Sequence, residues 1–175
     1  MIKLIILDVD GVMTNGKKVY DINGNTVYKE FCDKDWTAIK RFRALGVNVV
    51  FLSGDNFNEG IAKNRNIPFW HNILPKETYL DKICKAFNVA PFHSVAYVGD
   101  DLFDVEIAKQ VRYPFCPLDA IKEMKDVCAT LWANGGDNVI MYLYDHLSAS
   151  GCIPKWNDSH LKELYELDNK EYKAP

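Results

Sequence analysis

No stretch of this sequence is apolar over the roughly 20 residues that a membrane-spanning helix needs, which excludes a bilayer span. There is no excess of basic charge either. Lys and Arg number 21 against 24 Asp and Glu, a formal net charge of −3, and a nucleic-acid partner, which selects a basic face, is not expected. Cysteine is sparse and unpatterned: Cys32, Cys84, Cys116, Cys128 and Cys152 are odd in number and form no C-x-x-C pair. They read as reduced small hydrophobes rather than as a disulfide framework. The four histidines are scattered, none at helical spacing from another or from a cysteine, which argues against a structural zinc site. Repeats and low-complexity segments are missing. The N-terminus has no signal-peptide layout, because Lys3 is followed by a short apolar stretch and then by acids. A cytoplasmic protein is expected.

What is present is a chain of 175 residues, 48% hydrophobic, enough for one domain with a sizeable core. Leu4 to Leu7 reads as a buried strand. Lys17 to Phe31, "KKVYDINGNTVYKEF", has two β-prone arms around Asn-Gly and predicts a protruding hairpin. "DKDWTAIKRFRALG" predicts a helix, with Ile39, Phe42 and Leu45 at three-residue steps and Gly46 as its cap. Further on, "VNVVFLSG", "IPFWHNI", "HSVAYVGDD", "YPFCP" and "ATLWA" read as strands. Helical patterns at "NFNEGIAKNRN", "KETYLDKICKAFN", "FDVEIAKQV", "DAIKEMKDV" and "NVIMYLYDHL" alternate with them. This rhythm predicts an α/β fold: a three-layer, Rossmann-like parallel sheet with helices on both faces. The domain is expected over 1–149. The polar tail, 150–175, holds a candidate helix at "SHLKELYEL" and reads as either a mobile tail or a docking segment.

Ligands of open α/β sheets sit beyond the carboxyl ends of the strands. There the sequence delivers Asp8 and Asp10, then Ser53 and Gly54, then Asp100 and Asp101 with Asp104 one turn on, and Lys76 before a helix. Each of these has an ordinary structural reading as a turn, cap or surface residue. Together they form a chemically coherent set. Crowded carboxylates repel unless a cation neutralises them, and hard oxygen ligands suit Mg²⁺ with phosphate. Lys76 and the Ser53 hydroxyl suit phosphate oxygens. One aspartate can attack phosphorus while another moves the proton.

"DVDGVMT", "LSGD", Lys76 and "YVGDDLFD" resemble, in this order, the four motifs of the haloacid dehalogenase superfamily of phosphatases. Within it the chain resembles the small capless sugar-acid phosphatases typified by 3-deoxy-D-manno-octulosonate 8-phosphate (KDO 8-phosphate) phosphatase. The resemblance runs from about Ile2 to Leu147 and includes the hairpin, the "KEF" and "AIKRF" segments and the "GG" before the last core helix. It implies a Mg²⁺-dependent phosphatase for a small phosphorylated sugar or sugar acid, without a cap domain. A homotetramer assembled through the hairpins is also implied. Asp8 is then the nucleophile and a metal ligand, and Asp10 the general acid/base with its carbonyl on the metal. Asp100 completes the ligands, and Asp101 and Asp104 support them. Ser53 and Gly54 bind phosphate, and Lys76 bridges phosphate and nucleophile.

The chain departs from that family where substrate recognition is expected. Asp55 stands where Arg or Lys is usual, "DWTAI" replaces a glycine-containing turn, and "GGDNVIM" lacks the late arginine. An anionic substrate beside Asp55 calls for a compensating Lys or Arg elsewhere. Two alternatives therefore stay open: another small phosphomonoester, such as a 9-phosphorylated nonulosonate, or a non-catalytic assembly or regulatory protein on the same fold.

Overall fold

A computed structural model describes residues 1–71 and 75–171; the end of "IPFWHNI" and the last four residues of the tail lie outside the described residues. The chain opens with β1 (Leu4–Leu7), the hairpin strands β2 (Val19–Tyr20) and β3 (Thr26–Tyr28), and α1 (Asp33–Ala44). Next come β4 (Asn48–Ser53), α2 (Glu59–Asn64), β5 (Phe69–His71), α3 (Leu80–Ala86) and α4 (Pro91–Ser94). The chain continues through β6 (Val95–Val98), α5 (Val105–Ala108), β7 (Tyr113–Cys116), α6 (Lys122–Lys125) and β8 (Ala129–Thr130). It closes with α7 (Val139–Ala149) and α8 (Ser159–Glu171).

Among the described residues, six strands form one parallel sheet in the order β5-β4-β1-β6-β7-β8. Period-two alternation builds its two faces. Ile5, Leu7, Val49, Phe51, Ala96 and Val98 point into one apolar layer, shared with Ile39 and Phe42 of α1 and Ile140 and Leu143 of α7. Leu4, Ile6, Val50, Leu52 and Tyr97 point into the other, shared with Ile83 of α3, Ile107 of α5 and Met124 of α6. Both faces are covered, so the strands read as continuous apolar runs.

The hairpin turn is set by Asp21, whose Oδ1 accepts from the N–H groups of Asn23 and Asn25 at 2.8 Å each. Gly24 there has φ +82°, a conformation glycine adopts without strain. No cap domain interrupts the described chain: the hairpin and α1 fill the span from β1 to β4, and α2 fills that from β4 to β5. The helix expected in the tail is α8. It lies against α1, tied by Lys40 to Asp168 and Glu171 and by Arg65 to Glu171.

Candidate active site

β1 lies between β4 and β6, where the chain reverses its winding direction. Three adjacent strands therefore end together, and their following residues share one crevice. Leu7 pairs with Phe51 and Val98. The next residue, Asp8, still donates its N–H to the Val98 carbonyl at 2.9 Å, which fixes its buried side chain at the sheet end. The chain then turns back, with the N–H groups of Met13 and Thr14 on the Val9 carbonyl, and brings Asp10 round to the same cavity as Asp8. Gly11 permits this twice over. Its φ is +83°, and a Cβ there would sit 1.9 Å from Asp100 Oδ2.

The cavity, about 550 Å³, is lined by all eight residues singled out from the sequence: Asp8, Asp10, Ser53, Gly54, Lys76, Asp100, Asp101 and Asp104. Lys76 is buried, and its Nζ lies 2.9 Å from Asp8 Oδ2 and 2.5 Å from Asp104 Oδ1. Burial alone would discharge this ammonium; the two carboxylates hold its pKa above the ordinary lysine value instead. Asp104 is fully enclosed. Its Oδ1 also accepts from Tyr97 Oη at 2.5 Å, and its Oδ2 accepts from the N–H groups of Asp100 and Asp101 at 2.9 and 3.1 Å. Both oxygens are committed, so Asp104 organises the loop and the lysine. Asp101 is exposed, and its Oδ1 accepts from the Leu102 N–H at 2.7 Å.

Asp8, Asp100 and Asp104 each offer an oxygen within 4.8 Å of the others. Burial, then repulsion from Asp104, pushes the Asp8 carboxyl up to about 7 against the pull of Lys76. Burial, then repulsion from Asp8, pushes Asp100 up to about 8. Asp100 Oδ1 is buried without a partner among the described residues, in a crowd of carboxylates that repel one another. An orphaned carboxyl oxygen in that setting, whose ionisation a bound cation would favour, fits a hard divalent cation.

Sequence reading missed a second group. Lys29, at the base of the hairpin, has no exposed side-chain surface. Its Nζ reaches Asp10 Oδ1 and Oδ2 at 2.7 and 2.9 Å, Asp55 Oδ2 at 2.9 Å and Asn58 Oδ1 at 3.0 Å. Lys18 spans Asp55 Oδ2 at 2.7 Å and Asp10 Oδ2 at 3.3 Å. The two lysines thus pair with Asp55 and Asp10 themselves. Burial opposes ionisation of Asp55, yet hydrogen bonds from Lys18, the Phe57 N–H and Lys29 hold its carboxyl well below the usual range. Asn58, also buried, donates to Ser53 Oγ at 3.3 Å.

No protein-family model matches the chain. A curated relative does: 3-deoxy-D-manno-octulosonate 8-phosphate phosphatase KdsC of Haemophilus influenzae is 32% identical over 148 residues, 82% of this chain and 81% of that protein. The chain belongs to the KdsC family of haloacid dehalogenase phosphatases. It is a phosphoric monoester hydrolase by that membership. Among solved structures, the cobalt-bound deoxy-D-mannose-octulosonate 8-phosphate phosphatase of H. influenzae is 31% identical with a TM-score of 0.80, covering 86% of this chain and 90% of that one. The KDO 8-phosphate phosphatase of Moraxella catarrhalis, solved with magnesium, phosphate and KDO, shares the fold at 20% identity and a TM-score of 0.75. That match covers 96% of this chain and 90% of that one.

In this KdsC-family chain the "GG" before α7 acts at close range. A Cβ on Gly135 would fall 1.9 Å from the Gly11 carbonyl oxygen, and one on Gly136 would fall 2.6 Å from the Asn15 nitrogen. The Gly136 N–H donates to the Val12 carbonyl at 2.8 Å. The two glycines thus let the late loop seat directly on the Asp8–Asp10 turn. Trp36 is buried in the core and Trp70 stacks edge-on to Phe87; neither lines the cavity.

Proposed function

We propose that this chain is a Mg²⁺-dependent phosphomonoesterase for a small phosphorylated sugar or sugar acid, acting through an aspartyl-phosphate on Asp8. The observation that carries the reading is the buried Asp8–Lys76 pair beside Asp100, whose inner oxygen has no partner among the described residues. Asp8, Asp100 and the Asp10 carbonyl are the proposed cation ligands, supported by Asp101 and Asp104. The cobalt held by the Haemophilus enzyme supports a divalent ion here. Bound Mg²⁺ would neutralise the crowded carboxylates and the incoming phosphate. Lys76 steadies the Asp8 carboxylate and meets phosphate oxygens, which the Ser53 hydroxyl and the Gly54 N–H also bind. Asp8 attacks phosphorus, the bond to the leaving oxygen breaks, and that oxygen takes its proton from Asp10. Asp10 then removes a proton from water, which attacks the same phosphorus. Inorganic phosphate departs and the Asp8 carboxylate is restored.

We place the enzyme in the cytoplasm as a homotetramer. Its five cysteines are free thiols, which suits a reducing compartment, and no helix among the described residues is long and apolar enough to cross a membrane. Hydrolysis of p-nitrophenyl phosphate tests the reaction. Asp8→Asn is expected to abolish turnover with the circular dichroism unchanged, and Mg²⁺ to support activity far better than Ca²⁺, whose looser shell misplaces the reactants. Wild-type rates in Asp8→Asn, with deamidation excluded, would overturn the nucleophile; full activity after exhaustive chelation would overturn the metal.

A further inference from the structure

Ser53 ends β4 and lines the cavity with Asp8, although little of it is exposed. A hydroxyl has one hydrogen to give and two lone pairs with which to receive. Both lone pairs of Ser53 Oγ are taken: the Asp55 N–H donates to it at 3.2 Å and Asn58 Nδ2 at 3.3 Å. No acceptor among the described residues meets its hydrogen, which is left to the cavity. An asparagine can present either end of its amide, and here Lys29 decides which. Its ammonium donates to Asn58 Oδ1 at 3.0 Å, and an ammonium cannot accept, so the amide nitrogen is turned to Ser53. Asn58 and the Lys29 side chain are both fully enclosed. Asp55 supports the arrangement with both oxygens. Its Oδ2 receives Lys29 at 2.9 Å, and its Oδ1 receives the Phe57 N–H at 2.9 Å, which caps the short helical turn Asn56–Asn58 that carries the amide. Asn58 itself does not line the cavity.

We infer that Asn58 is a positioning residue for phosphate: oriented by Lys29, it fills the last lone pair of Ser53, so the hydroxyl can only donate, and it donates to the phosphoryl oxygens. The inference rests on the phosphatase reading and adds to it a residue that touches no substrate. A donor fixed in advance needs no reorientation as charge shifts on those oxygens. The test is a double-mutant cycle on kcat/KM for p-nitrophenyl phosphate with Mg²⁺. Ser53→Ala is expected to lose about 10–100-fold, the range for a hydrogen bond to a charged group. Asn58→Asp keeps the shape and still accepts from Lys29, but its carboxylate takes the Ser53 hydrogen for itself. It should lose about tenfold or more. In the Ser53→Ala background Asn58→Asp should cost less than about twofold, because no hydroxyl is left to misdirect. Its loss should also be equal for p-nitrophenyl and phenyl phosphate, since Ser53 meets the transferred group and not the leaving oxygen. Asn58→Ala, which frees the hydroxyl to rotate, carries the same cycle if Asn58→Asp fails to fold. A loss equally large in both backgrounds, or larger for phenyl phosphate, would trace the effect to the fold or to Lys29 and Asp10 and overturn the inference. So would wild-type rates in Asn58→Asp. Failure of the phosphatase reading is separately visible as no Mg²⁺-dependent turnover of p-nitrophenyl phosphate by the wild-type enzyme.

Discussion

At the scale of single residues, Asp10, the proposed acid/base, is held by a lysine that lies 19 positions away in the chain. Lys29 bonds both oxygens of Asp10 from a fully enclosed position, so in the proposed mechanism it sets the direction in which Asp10 would face the leaving oxygen. Asp10→Asn is expected to slow turnover by about 10²–10⁴-fold, the usual worth of general acid/base help. Lys29→Met should lose about 10–100-fold through misplacement of Asp10. Both losses should shrink for p-nitrophenyl phosphate, whose good leaving group needs little protonation, relative to an alkyl phosphate. Equal losses on the two substrates would assign Lys29 a purely structural role. The eight residues named from the sequence were legible because each follows an apolar run or opens a helix at a strand end. Lys29 was not. It sits in "VYKEF" among other exposed-looking polar residues, and its partners Asp10, Asp55 and Asn58 are distant in the chain and adjacent only after folding. The one hint was Asp55 itself, an acid beside a phosphate site that demanded a cation from somewhere.

At the scale of elements, the sheet was legible because its strands are buried on both faces and end in turn or acidic residues, while the joints between helices were not. Asp35 shows why. In sequence it is one of two acids in the first turn of α1, an ordinary helix-dipole position. In the fold its Oδ1 accepts from the N–H groups of Ile140 and Met141, at 2.9 and 3.1 Å, and so caps α7 from another helix. Its Oδ2 is buried without a partner among the described residues. Burial raises the Asp35 carboxyl to about 6, against the pull of those two N–H groups. The folded state therefore holds its proton more tightly than the unfolded chain, whose value is 3.8. Stability from this group is greatest below the unfolded value, falls as pH rises towards the folded value, and stays low above it. Asp35→Asn keeps an acceptor for α7 and removes the ionisation. Its stability relative to wild type should climb between about pH 4 and pH 6, with a slope of at most about 1.4 kcal/mol per pH unit. Urea midpoints of the two proteins across that range check this; parallel curves would show that Asp35 ionises without cost.

At the scale of the whole molecule, the open cavity and the exposed hairpin call for one account. Phosphoryl transfer gains from a site that excludes bulk water and positions the leaving group, yet nothing in the described chain between β1 and β5 amounts to a cap. The hairpin instead carries apolar side chains into solvent: Val19, Tyr20, Val27 and Tyr28 are each about half exposed, and Ile22 at its tip is wholly so. Leu102 and Phe103, beside the cavity, are 60% exposed. Isolated exposed apolar residues are ordinary, but a cluster on one projecting element marks a contact surface. Closed symmetry lets copies of one chain bury such elements mutually. In the proposed tetramer the hairpins would be the contacts and neighbouring copies would narrow each cavity mouth. Light scattering on the purified protein should then give four chains, and specific activity should fall on dilution as the assembly dissociates. Ile22→Lys combined with Tyr20→Lys should yield smaller species with a raised KM for sugar phosphates, while Mg²⁺-dependent turnover of p-nitrophenyl phosphate persists, because the Asp8–Lys76–Asp104 group is complete within one chain. A monodisperse monomer with full specific activity at every dilution would rule out the shared mouth and leave the hairpin as an element of its own subunit alone.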